Sequence, residues 1–175
     1  MEKGLIHIYT GDGKGKTTCC VGLTVRCAGY GGKVLFTQFL KDNNSSELKV
    51  LGTIPGVHLL LCEKALGFTF KMNDEQKAEV RAICNAHFDK VIDAAVKENV
   101  DLLVMDEMMA TYNGGFIDKD KVTGFLKSKP ESMEVVMTGR NAPEELIELA
   151  DYVSCINKIK HPFDVGIRAR KGIEK

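Results

Sequence analysis

Residues 10–18 read Thr-Gly-Asp-Gly-Lys-Gly-Lys-Thr-Thr, a glycine-rich turn set between a short β-branched run and a segment that starts a helix. The order strand, loop, helix is what a phosphate-cradling loop requires. A triphosphate carries several negative charges that need donors at close range. Glycines let backbone N–H groups approach, and the helix N-terminus adds its positive end. Lys16 supplies a full charge and Thr17 a hydroxyl for Mg²⁺. Gly11, Asp12, Gly13, Lys14, Gly15, Lys16, Thr17 and Thr18 are therefore candidate ATP-binding residues. The match to G-x-x-x-x-G-K-[ST] is incomplete, because Thr10 stands where the first glycine belongs. The competing reading is a glycine-rich turn with solvated lysines; the placement between strand and helix favours phosphate binding.

Around this loop the chain alternates short apolar runs with longer segments of helical period, the pattern of strand-helix units around a mostly parallel sheet flanked by helices. The fold class is α/β, and residues 1–175 read as a single domain, with no repeat, low-complexity tract or linker to divide them. The expected strands are residues 5–9, 33–39, 57–62, 102–106, 134–138 and 152–159. Five of the six are nearly uninterrupted apolar runs, as expected for strands covered on both faces. The clearest helix starts at Asn73, where Asn-Asp-Glu-Gln offers a cap and a returning Gln76. Its apolar stripe runs through Val80, Ile83, His87, Val91 and Ala95. A second, short helix is expected after Asn141-Ala142-Pro143-Glu144, leading into the last strand. Residues 41–46 are the most loop-like interior stretch.

Lys plus Arg and Asp plus Glu both total 24, so no net field favours a nucleic-acid partner. The six cysteines contain no CxxC pair and read as reduced thiols. The N-terminus lacks a signal-peptide pattern, and no apolar run approaches the ~20 residues that span a bilayer. These features imply a cytoplasmic protein with no membrane partner.

A phosphate loop needs a carboxylate near its metal, usually at the end of a neighbouring buried strand, and residues 102–107 end an apolar run in Asp106 and Glu107. Which acid meets the metal stays open, since adjacent strand residues face opposite sides. Arg140, after Thr138-Gly139, lies at the carboxyl end of another strand, the edge where open α/β sheets keep ligands. It suits a phosphate or a surface ion pair equally. Phe68 and Phe70, in Gly67-Phe68-Thr69-Phe70, are two aromatics where a loop would ordinarily be polar. The basic, glycine-containing tail 160–174 reads by default as a flexible terminus.

Taken together the chain resembles the ATP:corrinoid adenosyltransferases along nearly its whole length. The landmarks are residues 9–18, Gln38-Phe39-Leu40-Lys41, Gly67-Phe68-Thr69-Phe70, Met105-Asp106-Glu107, residues 113–117, residues 138–151, and the tail from Lys160-His161-Pro162-Phe163 to Lys171-Gly172-Ile173-Glu174. The resemblance implies a P-loop NTPase-like, RecA-like domain that uses Mg²⁺ and takes ATP and a corrinoid as substrates. Reduced Co(I) would attack the 5′ carbon of ATP and expel triphosphate. Lys16 and Glu107 would be the catalytic residues, with Thr17, Asp106 and Glu107 on the metal side. The nucleotide would lie reversed relative to ordinary P-loop enzymes, which fits the altered first position of the loop. Gly67, Phe68 and Phe70 would meet the lower face of the corrin, displacing its axial base and easing Co(II) reduction. Phe70 stands where the family pattern often has Trp. Better-known members have an N-terminal segment folded over the corrinoid, whereas here the first strand begins within five residues of the start, so the site is expected to be more open or covered by something else. A reduced flavoprotein donor and a homodimer are further implications. Two rival functions are an ordinary P-loop ATPase or small-molecule kinase, which would release ADP, and a non-catalytic nucleotide-dependent sensor.

Overall fold

The computed structural model describes residues 3–62 and 72–174. Six strands form: β1 (Ile6–Thr10), β2 (Val34–Gln38), β3 (Val57–Leu59), β4 (Leu102–Asp106), β5 (Glu134–Thr138) and β6 (Tyr152–Cys155). They make one sheet in the order β3-β2-β4-β5-β1-β6, with every neighbouring pair parallel. Between them lie α1 (Lys16–Gly29), α2 (Glu47–Leu51), α3 (Asp74–Lys97), α4 (Met108–Asn113), α5 (Lys119–Ser128) and α6 (Glu144–Ile147).

Two strands are shorter than their apolar runs predict. β3 ends at Leu59 rather than residue 62, and β6 ends at Cys155 rather than residue 159. A strand lasts only as long as its neighbour supplies a ladder. The β6 pairing stops at Thr10↔Cys155, where β1 turns into the glycine loop. Burial on both faces also holds less widely than expected. β2 and β4 are buried throughout and β5 nearly so, but β1 alternates, β3 is half-exposed and edge strand β6 is exposed at every residue.

Side-chain alternation sorts the central strands into two cores. Leu35, Leu103, Met105, Val135 and Met137 pack with Phe88 and Val91 of α3 and Val122 and Leu126 of α5. Val34, Phe36, Leu102, Val104 and Val136 face the other way, onto Cys20 of α1 and Leu48 and Leu51 of α2. Each such buried aliphatic side chain stabilises the fold by roughly 1.5–3 kcal/mol.

Helix α3 starts as its sequence dictates. Asn73 Oδ1 accepts from the Gln76 N–H at 2.9 Å, and Gln76 Oε1 accepts from the Asn73 N–H at 2.9 Å. Its buried stripe is Val80, Cys84, His87, Phe88, Val91 and Ala95; Ile83 is only half-buried. α6 is short, as expected, and leads towards β6. Residues 41–46 carry no helix or strand; Leu40, just before them, and Asn43, within them, take positive φ of 51° and 58°. Among the described residues, no helix is long and apolar enough to cross a membrane.

Candidate functional site

The orientation of the two acids follows from the same alternation. Leu102 and Val104 face the α1 core, so Asp106, two residues on, also points towards α1 and is fully buried. Glu107 is not in the strand. It precedes α4 with φ 60° and ψ 23°, a left-handed turn that takes its side chain out of the pleat.

The buried Asp106 carboxylate needs compensating donors. Oδ1 accepts from the hydroxyls of Thr17 at 2.9 Å and Thr138 at 2.6 Å. Oδ2 accepts from Gln38 Nε2 at 3.0 Å and Lys41 Nζ at 2.6 Å. Burial alone would lower the Lys41 pKa, but the adjacent carboxylate outweighs it and the pKa is raised. Thr138 also accepts from the Glu107 N–H at 3.0 Å, so one hydroxyl fixes both acids. Half-buried Glu107 has its pKa raised by desolvation and then by the Asp106 charge.

The loop itself is built by close backbone approach. A Cβ on Gly11 would lie 2.4 Å from the carbonyl oxygen of Ile156, and one on Gly13 2.7 Å from the same atom. The Gly13 N–H donates to that oxygen at 2.7 Å. Gly15, with φ 127°, turns the chain into α1. Lys16, in the first turn of α1, donates to the Gly13 carbonyl at 2.7 Å. Its pKa is lowered by desolvation first and then by Arg140. Asp12 is exposed and accepts from the Lys158 N–H at 2.9 Å, a bond that lowers its pKa. This carboxylate thus ties the loop to the chain beyond β6.

Gly13, Lys14, Gly15, Lys16, Thr17 and Thr18 line a cavity of about 870 Å³, together with Asp12, Glu107 and Arg140. Gly11 and Asp106 lie outside its lining: the first supports the loop and the second anchors Thr17 from below. The opposite wall is formed by residues 157–163, 167–170 and 173–174. The tail, expected to be a flexible terminus, returns across the loop because Gly13 and Asp12 bind the backbone at residues 156 and 158. Sequence reasoning assigned no role to Lys41, Gln38 or Thr138, although all three lie in stretches that carry the family resemblance. Their sequence signal is polar residues at or just beyond the carboxyl ends of buried strands. Gly67, Phe68 and Phe70 lie outside the described residues.

The chain matches the family described as ATP:corrinoid adenosyltransferase BtuR/CobO/CobP over residues 2–174. It is 31% identical to a corrinoid adenosyltransferase of Escherichia coli K12 over 173 residues, covering 99% of this chain and 86% of that one. A corrinoid adenosyltransferase of Sinorhizobium is 36% identical over 179 residues, covering 99% of this chain and 81% of the other. Among solved structures, the flagellar accessory protein FlaH of Methanocaldococcus jannaschii superposes with a TM-score of 0.60 at 12% identity, covering 89% of this chain and 72% of that one. That likeness concerns the fold alone.

Proposed function

Because the chain belongs to the ATP:corrinoid adenosyltransferase family, we propose a division of labour among its own residues for that family's reaction. The enzyme is a transferase that moves the 5′-deoxyadenosyl group of ATP to the Co(I) of a reduced corrinoid. A Co–C bond forms as the C5′–O bond breaks, and the electron pair departs with triphosphate. Co(I) is already a strong nucleophile, so no base is needed. The protein's tasks are positioning and neutralising the leaving charge. The N–H groups of residues 13–18, Lys16 and Arg140 perform the second task. The observation that carries this reading is the convergence of Lys16, Thr17, Glu107 and Arg140 on one cavity at the carboxyl edge of the sheet.

The oxygen donors there fit a hard cation. Thr17 Oγ1 gives its proton to Asp106 and keeps lone pairs for a metal, and Glu107 adds a carboxylate at the cavity wall. Thr17 and Glu107 would hold Mg²⁺, which when bound screens the phosphate oxygens. Asp106, whose oxygens accept from Thr17, Thr138, Gln38, Lys41 and the Cys20 thiol, serves by holding Thr17 in place. Gly67, Phe68 and Phe70 are proposed to meet the corrin, and the nucleotide to lie reversed relative to ordinary P-loop enzymes. Residues 1–175 would act as one cytoplasmic unit, as a homodimer supplied with electrons by a reduced flavoprotein.

The test is anaerobic incubation with Mg-ATP and chemically reduced cob(I)alamin, following the corrinoid spectrum and the phosphate product. Adenosylcobalamin with stoichiometric triphosphate is expected. Release of ADP with an unchanged corrinoid would overturn the reading in favour of an ordinary ATPase.

A further inference from the structure

The wall of the cavity facing the phosphate loop is the returning tail, and its charge is unbalanced. Seven Lys and Arg residues line the cavity against three Asp and Glu. Such a surface selects a polyanion. Two of the four tail cations that line the cavity are already committed. Lys158 Nζ pairs with Asp164 at 3.0 Å, and Arg170 pairs with Glu174 through Nη2 at 2.8 Å and Nε at 3.2 Å. Arg168 lines the cavity and has no hydrogen-bond or ion-pair partner among the described residues.

Its position is fixed from both sides. Upstream, a 3-10 turn (Pro162–Val165) is closed by the Gly166 N–H on Phe163 O at 3.0 Å and the Ile167 N–H on Pro162 O at 3.1 Å. Downstream, the Glu174 N–H bonds Arg170 O at 3.0 Å, and the Arg170 N–H bonds Glu174 Oε2 at 2.7 Å. Arg168 lies between these two closed turns, on a segment tied to the loop through Asp12. A guanidinium carried on a backbone held this way offers a planar fork suited to two phosphate oxygens at once.

We infer that Arg168 is a triphosphate-binding residue, supplied by the tail from the side of the cavity opposite the loop. Lys16 and Arg168 then hold the phosphate chain between them as it becomes the leaving group. This deepens the reading of the loop as the ATP site and rests on it.

The test is calorimetric titration of the full chain with inorganic triphosphate in Mg²⁺ buffer, using wild type, Arg168→Ala, Arg168→Lys and Lys16→Ala. Loss of one charge-assisted contact is expected to weaken binding by Arg168→Ala roughly tenfold or more, with partial recovery in Arg168→Lys. The salt dependence should become shallower, and the KM for ATP should rise more than kcat falls. Arg168 is exposed, so the melting temperature should match wild type. Wild-type affinity in Arg168→Ala alongside a loss in Lys16→Ala would overturn this inference and leave the loop reading standing. Equal affinity for wild type and Lys16→Ala, or no wild-type binding, would overturn both.

Discussion

The ammonium of Lys41 lies 2.6 Å from Oδ2 of Asp106, a carboxylate with no exposed surface, and it reaches there from a loop outside the sheet. Removing one partner of a buried pair leaves the other charge uncompensated, at a cost of about 3–5 kcal/mol. The Lys41 side chain is 23% exposed, which favours the low end of that range. Lys41→Met should therefore lower unfolding stability by about 3 kcal/mol, with an unchanged denaturant slope in urea titration. A loss under ~1 kcal/mol would mean that the pair behaves as a surface contact.

Thr138 donates to Asp106 and accepts from the Glu107 N–H, so its hydroxyl holds the two acids in register. Thr138→Val preserves shape and leaves both groups short of a partner, a loss of about 1–3 kcal/mol. Thr138→Ser keeps the hydroxyl and should restore most of the stability. Binding of Mg-ATP, followed by calorimetry, should weaken in the valine variant and recover in the serine one. Parallel losses in both variants would assign the effect to packing of the threonine methyl group.

The sheet was legible because its centre consists of runs that only a doubly covered strand would carry. Val34–Gln38, Leu102–Asp106 and Glu134–Thr138 fall within or on the expected bounds. The ends of the edge strands were not, since β6 stops where β1 stops rather than where its own apolar run does. The loop was legible from its glycines, but part of their reason was not. Gly11 and Gly13 admit the backbone at residue 156, and contact between segments so distant in sequence has no local signature. The same holds for Lys41, whose partner lies 65 positions away. The divergent directions of the Asp106 and Glu107 side chains depend on the left-handed turn at Glu107, which composition does not encode.

Burial pushes the Cys84 thiol up to about 12, with a smaller contribution from Cys62. Below its ordinary value of 9.0, folded and unfolded chains both keep the proton, and the neutral thiol's contribution to stability is intact. Above that value the unfolded chain releases the proton first, so the contribution falls as pH rises from about 9 towards 12. Cys84→Ala should flatten this part of the stability profile. In thiol titration of the native protein at pH 8, exposed Cys19 and Cys155 should react readily, and buried Cys20, Cys62 and Cys84 only after denaturation. Reaction of Cys84 at the rate of Cys155 would contradict its burial.

If Phe70 shields the lower face of the corrin, its work is done before the adenosyl group moves. Removing an axial donor makes Co(II) easier to reduce and does little for Co(I) already formed. Phe70→Ala should slow adenosylcobalamin formation from Co(II) far more than from pre-reduced Co(I). Equal losses from both substrates would count against the role.

Gly13 and Gly22 separate two uses of glycine within ten residues. A methyl on Gly13 would sit 2.7 Å from Ile156 O and 2.9 Å from the Asn157 carbonyl carbon, and neither is a flexible side-chain end. The chain beyond β6 must then move off the loop, breaking the Gly13 N–H bond to Ile156 O and straining the Asp12 tie to Lys158. Gly13→Ala should cost about 1–3 kcal/mol of stability, and it should weaken binding of Mg-ATP because the tail forms one wall of the cavity. Gly22, in the interior of α1, has open space where its Cβ would go. Gly22→Ala should stabilise the protein by about 0.5–1 kcal/mol and leave nucleotide binding unchanged. Thermal melts and ATP titrations on both variants check this contrast. If Gly13→Ala bound ATP as wild type does, the tail could not be holding the site closed against the loop.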